Sequence, residues 1–421
     1  MHAVERLESR VCSYSHSFPA IFVRAQDSIM MTKGGREFID FLSGAGALNY
    51  GHNNHQIKAA ITEYLASDAL VHGLDMTTPA KIEFVETFSS VILQKRGLKY
   101  RSLFTGPTGA DAVETALKFS RKVTGRQNVI SFTHGYHGMS LGATATSCNR
   151  SYRTASGASL SGAIFMPYDG YLGPAVDTAD YLRKVLLDES TGIDCPAAIL
   201  VETVQGGGGI NVASKEWLRS VQAIARDAGA LFIVDDLQMG CGRTGEFFSF
   251  EFAALSPDIV VMSKSLSGYG LPLSMLLIKE GLDILRPQKH ADTFQGNNLA
   301  LASATAAINI YWRCPTFSER VKRLGELMRS RLEALACELG NGFAVRGRGM
   351  ALGFDCLSSG LASAMTHKAL EKGLIIERCG PDDRVAIFLP ALTIDLETLN
   401  HGLQIFEESL AETLEYEESL A

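Results

Sequence analysis

The chain has 421 residues, 46% of them hydrophobic and 20% charged, with a formal net charge of −7. That is enough length and apolar content for two or more domains with a sizeable core. The acidic balance, with no basic run, argues against a nucleic-acid or anionic-membrane surface, and no apolar stretch approaches the roughly 20 residues of a membrane span. Eight cysteines, at positions 12, 148, 195, 241, 314, 337, 356 and 379, include no C-x-x-C pair. They read as free thiols of a cytoplasmic protein rather than as a disulfide framework or a zinc site. The N-terminal MHAVERLESR has no apolar core of the kind a secretory signal carries.

In chain order, residues 1–50 hold three short strand patterns, Ile21–Val23, Ser28–Thr32 and Glu37–Phe41, around a Lys33-Gly34-Gly35 turn. A helix is predicted over Ala110–Lys122, behind a Thr108/Asp111 capping box. Asn128–Phe132, Ala198–Glu202, Ala230–Asp235, Asp258–Met262 and Met275–Ile278 are apolar without alternation, as strands covered on both faces are. Between them Ser214–Ala228 reads as a helix: a Ser cap, apolar residues at helical spacing, and Gly229 just past the end. Such alternation gives an α/β domain with a mostly parallel sheet. A charged helix over Phe317–Leu339 precedes strand patterns at Ala344–Arg346, Leu374–Glu377 and Val385–Phe388, and the acidic stretch Glu407–Glu418 reads as a solvated helix face. Residues 1–50 and 312–421 are expected to form one small α+β domain flanking a large domain over 51–311.

Three features carry chemistry. Thr105-Gly-Pro-Thr-Gly-Ala110 leads into the capped helix, whose first N–H groups can cradle an anion; a capped helix without a ligand explains the same residues. Leu231-Phe-Ile-Val-Asp-Asp236 puts carboxylates at the C-terminal edge of the sheet, where ligands of open α/β sheets bind, and an ordinary strand-end turn is the alternative. Pro257-Asp-Ile-Val-Val-Met-Ser-Lys264 puts a lysine straight after a buried strand. Burial favours the neutral amine that carbonyl chemistry needs, unless the side chain escapes to solvent. Together they supply what pyridoxal phosphate requires: a phosphate cradle, an acid for the ring nitrogen and an amine for the aldehyde. His52/His55 and His134/His137 lack a third ligand motif, so no metal is expected. Gln205-Gly-Gly-Gly-Gly209 lacks the spacing of a dinucleotide fingerprint.

The chain resembles the class III (ω-) aminotransferases of fold type I over nearly its whole length. The resemblance rests on Thr108-Gly-Ala-Asp-Ala-Val-Glu114, Tyr136-His-Gly138, Glu202-Thr-Val-Gln-Gly206, Val234-Asp-Asp-Leu-Gln-Met-Gly-Cys-Gly-Arg-Thr-Gly245, Lys264 and Thr293-Phe-Gln-Gly-Asn297. Leu48-Asn-Tyr-Gly-His-Asn-Asn54, His72-Gly-Leu-Asp75, Met166-Pro-Tyr-Asp-Gly-Tyr-Leu-Gly173 and Ser267-Gly-Tyr-Gly-Leu-Pro272 resemble, more narrowly, the diaminobutyrate–2-oxoglutarate aminotransferases of ectoine biosynthesis. The resemblance implies a large domain with a central, mostly parallel sheet, a small domain built from both termini, and pyridoxal 5′-phosphate as cofactor. By the same resemblance Lys264 is the Schiff-base lysine and proton carrier, and Asp235 pairs with the ring nitrogen. Gln238 bonds the ring 3-oxygen, Tyr136 and Leu237 cover the two ring faces, and Thr108, Gly109 and Ala110 hold the phosphate. Glu202 supports the ring side of the site, His137 belongs to the pocket in a structural role, and Thr293 reaches the phosphate of a neighbouring subunit, which requires at least a dimer. The implied partners are a small amino donor and a keto-acid acceptor.

Two positions depart from the family. Gly207 stands where relatives carry glutamate, and Ile387 where many carry a basic residue, usually arginine. In relatives the arginine binds a substrate carboxylate and the glutamate neutralises it when an ω-amine is bound. Losing either alone would leave an uncompensated charge; losing both is self-consistent, and the expectation is that the enzyme recognises its acceptor differently or uses a different acceptor. Arg384, three residues before Ile387, would point to the opposite face. A racemase or aminomutase on the same scaffold is therefore a second reading, and a non-catalytic relative a third.

Overall fold

A computed structural model describes residues 2–9, 11, 17–284, 292–340 and 342–420; Cys12 lies outside them. Seven strands form the central sheet, in the order Tyr100–Phe104, Met275–Lys279, Ile259–Met262, Leu231–Asp235, Ala198–Val201, Val129–Phe132, Ala163–Met166. The five expected strands are among them. Only Met275–Lys279 runs antiparallel to its neighbours. The inner strands are largely apolar because successive side chains enter different cores. Phe232, Val234, Val260 and Met262 pack with Trp217, Leu218 and Val221 of the helix Lys215–Asp227. Leu231, Ile233, Ile259 and Val261 pack with Ala112, Val113, Ala116 and Leu117 of the helix Gly109–Thr124. Ser214 caps the first of these helices through its bond with the Trp217 N–H.

The two ends of the chain meet. Phe22–Gln26, Ile29–Thr32 and Glu37–Asp40 form a meander, and Leu374–Ile375 adds to it parallel to Ile39 and Asp40. Ala344–Arg348, Ala351–Asp355, Val385–Phe388 and Glu377–Cys379 form a further antiparallel sheet. The expected strand Leu374–Glu377 is thus two strands: the chain leaves one sheet at Ile375 and joins the other at Glu377. The acidic C-terminal stretch is one face of a helix, Leu396–Leu420, whose other face buries Leu399, Leu403, Phe406 and Leu410. Glu407 takes both arms of Arg331 at 2.6 and 2.7 Å, while Glu408 and Glu412 face Lys372 and Lys368.

This layout puts Asp235 at the end of a central strand and Lys264 two residues past its neighbour, both at the sheet's C-terminal edge. The opening of the helix Gly109–Thr124 follows the edge strand Tyr100–Phe104.

Candidate active site

Lys264 opens a short turn, Lys264–Ser267, with φ at +52°, in the left-handed region a lysine rarely adopts. Neighbouring contacts fix that turn: Ser265 Oγ donates to the Gly46 carbonyl at 2.8 Å and accepts from Asn49 N at 3.0 Å. The Lys264 side chain is half-buried, and its Nζ donates to the Ala45 carbonyl at 3.1 Å. Burial lowers its pKa to about 8, against the opposing pull of Asp235 and Glu202. A neutral amine is therefore accessible near neutral pH.

Asp235 is buried, at 5% exposure, and shares a 2.6 Å hydrogen bond with His137 Nδ1. Its other oxygen accepts from Leu237 N at 3.1 Å. His137 is held in place by its own N–H, which donates to Ser147 Oγ at 2.9 Å, and by Ser131 Oγ, 3.4 Å from Nε2. Burial alone would lower the imidazole, but the Asp235 bond and charge, with Glu202 behind them, push it above its ordinary value. Glu202 is also buried and accepts from Tyr136 N at 3.0 Å. Desolvation raises its carboxyl to about 7, with His137 pulling the other way. Asp235, His137 and Glu202 thus form one buried set whose charges act on one another.

Thr108 caps the helix Gly109–Thr124 in a full capping box with Asp111. The N–H groups of Gly109 and Ala110 lie beyond the reach of the helix's own carbonyls, so they are available to an anion beside a positive helix end. A Cβ on Gly109 would come to 3.0 Å from Leu237 Cδ1, and one on Gly138 to 2.8 Å from Ala110 Cβ. The helix opening therefore sits directly against both Leu237 and the Tyr136–Gly138 loop. Gln238 Nε2 donates at 2.9 Å to the same Ala45 carbonyl that receives Lys264.

One connected set of contacts therefore gathers Gly109, Ala110, Tyr136, His137, Glu202, Asp235, Leu237, Gln238 and Lys264, with Thr108 at its edge. Thr293 does not join it: it is exposed, and the link is its neighbour Asp292, whose Oδ2 accepts from Gly106 N at 3.1 Å. His52 bonds Asp40 at 2.7 Å, so each H-x-x-H pair has one member committed to a carboxylate. Ile387 is 4% exposed in an apolar cluster with Val204, Ile210 and Met239. Arg384 turns instead to Asp355, at 2.9 Å, a carboxylate it shares with Arg346.

The sequence did not single out the turn Ser43–Gly46, where Ser43, Gly44, Ala45 and Gly46 all have φ between +48° and +79°. Asp40 Oδ1 anchors it by accepting from Leu42 N and Ser43 N at 2.8 and 2.9 Å. A run of small residues was its only signal.

The family profile described as "Aminotransferase class-III" matches residues 12–410. An uncharacterized aminotransferase, y4qG, of Sinorhizobium fredii is 54% identical over 98% of this chain and 93% of its own. A diaminobutyrate–2-oxoglutarate transaminase of Bordetella parapertussis is 51% identical over 99% of this chain and 96% of its own. Among solved structures, the ornithine aminotransferase of Toxoplasma gondii ME49 superposes with a TM-score of 0.84 at 26% identity, covering 97% of this chain and 94% of that one. With a lysine, a buried acid and an open helix end gathered at the sheet edge, and a family match across almost the whole length, the chain belongs to the class III aminotransferases.

Proposed function

We propose that the protein transfers the 4-amino group of L-2,4-diaminobutyrate to 2-oxoglutarate, giving aspartate 4-semialdehyde and glutamate, and the reverse. The observation that carries the substrate is the relative 51% identical over 99% of the chain that bears this activity in its name. The chemistry rests on Lys264, half-buried with its pKa lowered to about 8, in one site with Asp235.

The cofactor is pyridoxal 5′-phosphate, and the residues present fit it. The glycine at 109 leaves no side chain between the helix opening and Leu237, where a Cβ would already press at 3.0 Å. The N–H groups of Gly109 and Ala110, with the Thr108 hydroxyl, would hold the phosphate. When bound, the cofactor supplies an aldehyde that captures the amine and a protonated pyridine that draws electrons from the amine-bearing carbon.

Around it, each residue has a task. Lys264 Nζ would carry the proton to and from the amine-bearing carbon, which requires the unprotonated amine that burial makes accessible. Asp235 would face the ring nitrogen, and its bond with His137 keeps the carboxylate aimed. Glu202 anchors the Tyr136 backbone, and Tyr136 and Leu237 would cover the two faces of the ring. Gln238, whose amide now donates to the Ala45 carbonyl, would bond the ring 3-oxygen. Thr293 of one subunit serves the phosphate of the next, in a homodimer or a dimer of dimers. Residues 1–50 and 312–421 act as a small domain closing on the large domain 51–311. No helix among the described residues is long and apolar enough to cross a membrane, and the seven described cysteines are free, which supports a cytoplasmic location.

Donor labelled with nitrogen-15 at the 4-amino group tests the reading. Mass spectrometry should find the label in glutamate; label retained in the four-carbon product, or glutamate formed only from the 2-amino group, would refute it.

A further inference from the structure

Arg243 is the largest of the fully buried side chains among the described residues, and it is a cation. Every bond that it donates goes to a neutral oxygen: Nη1 to the carbonyls of Met350 and Pro390 at 3.1 and 2.5 Å, and Nη2 to Asn49 Oδ1 at 2.6 Å. Its Nε has no acceptor among the described residues. Burial lowers the guanidinium pKa, the charge of Asp40 opposes that, and the group remains a cation at neutral pH. A buried charge with no acid in contact is costly, so filling the core does not account for it.

The planar fork joins segments far apart in the chain. The Arg243 carbonyl accepts from Met350 N at 3.0 Å while its side chain donates to the Met350 carbonyl. The backbones touch there, since a Cβ on Gly349 would lie 2.7 Å from the Arg243 carbonyl oxygen. Asn49, also fully buried, carries the contact onward. Its Oδ1 takes the guanidinium, its Nδ2 donates to the Cys241 carbonyl at 3.0 Å, and its carbonyl accepts from Leu392 N at 2.7 Å. Its N–H donates to Ser265 Oγ at 3.0 Å. Ser265 follows Lys264 and donates to the Gly46 carbonyl at 2.8 Å, one residue past the Ala45 carbonyl that receives Nζ. Two hydrogen bonds thus lead from the guanidinium to the residue beside Lys264, whose positive φ persists only where its surroundings hold it.

We propose that Arg243 is a positioning residue for Lys264: through Asn49 and Ser265 it holds the Lys264–Ser267 turn against the chain at Gly46, Met350 and Pro390. The inference rests on the aminotransferase reading in taking Lys264 as the reacting amine, and adds the group that sets its place. The charge has a second consequence. Burial is the main cause of the lowered Lys264 pKa; Asp235 and Glu202 oppose it, and the like charge of Arg243 adds to it. A cation at position 243 therefore both places the lysine and favours its neutral form.

Two readouts test it, in the wild type, Arg243→Met, Arg243→Lys and Ser265→Ala. In the first, the yellow holoenzyme is mixed with L-2,4-diaminobutyrate in a stopped-flow spectrophotometer. Arg243→Met should lower the limiting rate about 10- to 100-fold, the scale of loss from an ångström of misplacement, with the half-saturating donor concentration nearly unchanged. Ser265→Ala should lower it about 10-fold, and Arg243→Lys should keep more of the rate than Arg243→Met. The second readout is the rate at which the cofactor-free protein takes up pyridoxal phosphate, followed against pH, which rises as Lys264 loses its proton. Its midpoint should move to higher pH in Arg243→Met and stay in place in Arg243→Lys and Ser265→Ala, which keep the cation. A purely structural role would lower stability without that split between variants. An unmoved midpoint in folded Arg243→Met, or an unchanged limiting rate in Ser265→Ala, overturns the proposal. If Arg243→Met does not fold, the Ser265→Ala rate decides alone. A wild type whose yellow band responds to no amine defeats the aminotransferase reading, whereas a responsive wild type matched by all three variants defeats this inference only.

Discussion

Replacing Lys264 with methionine should abolish transamination and at the same time make the cofactor-free protein more stable. Burial lowers the Lys264 pKa from 10.5 to about 8, which corresponds to about 3 kcal/mol of native-state cost for carrying the charge at neutral pH. Methionine removes that charge while keeping a flexible chain of similar length. It also loses the Nζ bond to the Ala45 carbonyl, about 1 kcal/mol, although Gln238 still satisfies that oxygen. The net expectation is about 2 kcal/mol of added stability, read from urea midpoints of the cofactor-free proteins. The effect has a pH signature. Above pH 8 the folded wild type releases a proton that the unfolded chain keeps up to 10.5, so wild-type stability rises across this window and the variant's does not. The advantage of Lys264→Met should be largest below pH 8 and shrink towards 10.5. A variant less stable than wild type, or a gap that does not change with pH, would refute the assignment of a buried, costly ammonium.

Other outcomes follow from the same geometry. Glu202 has its folded pKa raised from 4.5 to about 7 by desolvation, so its contribution to stability is present below 4.5 and lost as pH rises through 7; Glu202→Gln should flatten that fall in a urea titration across the window. In Gly206→Ala the new Cβ would lie 1.7 Å from Gln238 Oε1, forcing that amide away; cofactor titration should show dissociation about tenfold easier, equal to about 1.4 kcal/mol, and unchanged affinity would remove Gln238 from the site. Ile387→Arg buries a guanidinium in an apolar cluster, costing about 3 kcal/mol or more when unpaired. Adding Gly207→Glu should restore part of that stability and change the half-saturating 2-oxoglutarate concentration; if the double variant left that concentration unaltered, the idea of a rerouted acceptor would be wrong.

Much of the fold was legible because burial leaves a mark on composition. The five strands named from the sequence are apolar on both faces, and the structure covers both faces with helices. The edge strands Tyr100–Phe104 and Ala163–Met166 escaped notice, the first because its Tyr-Arg-Ser-Leu-Phe is polar on its exposed side. Leu374–Glu377 looked like one strand because hydrophobic pattern reports burial, not which sheet a backbone joins. Within the site, Lys264 and Asp235 stood out by type and position at strand ends. The Ala45 carbonyl could not, since a backbone acceptor has no side-chain signature and its direction depends on four consecutive positive φ angles.

The central claim is that Lys264 and its neighbours run both halves of an amino transfer between L-2,4-diaminobutyrate and 2-oxoglutarate. A two-step absorbance experiment tests it most directly: the yellow holoenzyme is mixed with L-2,4-diaminobutyrate alone, and 2-oxoglutarate is added once the change is complete. The account predicts that the yellow band disappears with the amine and returns with the keto acid. A band that shifts without being lost would point to a racemase or aminomutase, and a band that is lost but not restored would show that 2-oxoglutarate is not the acceptor.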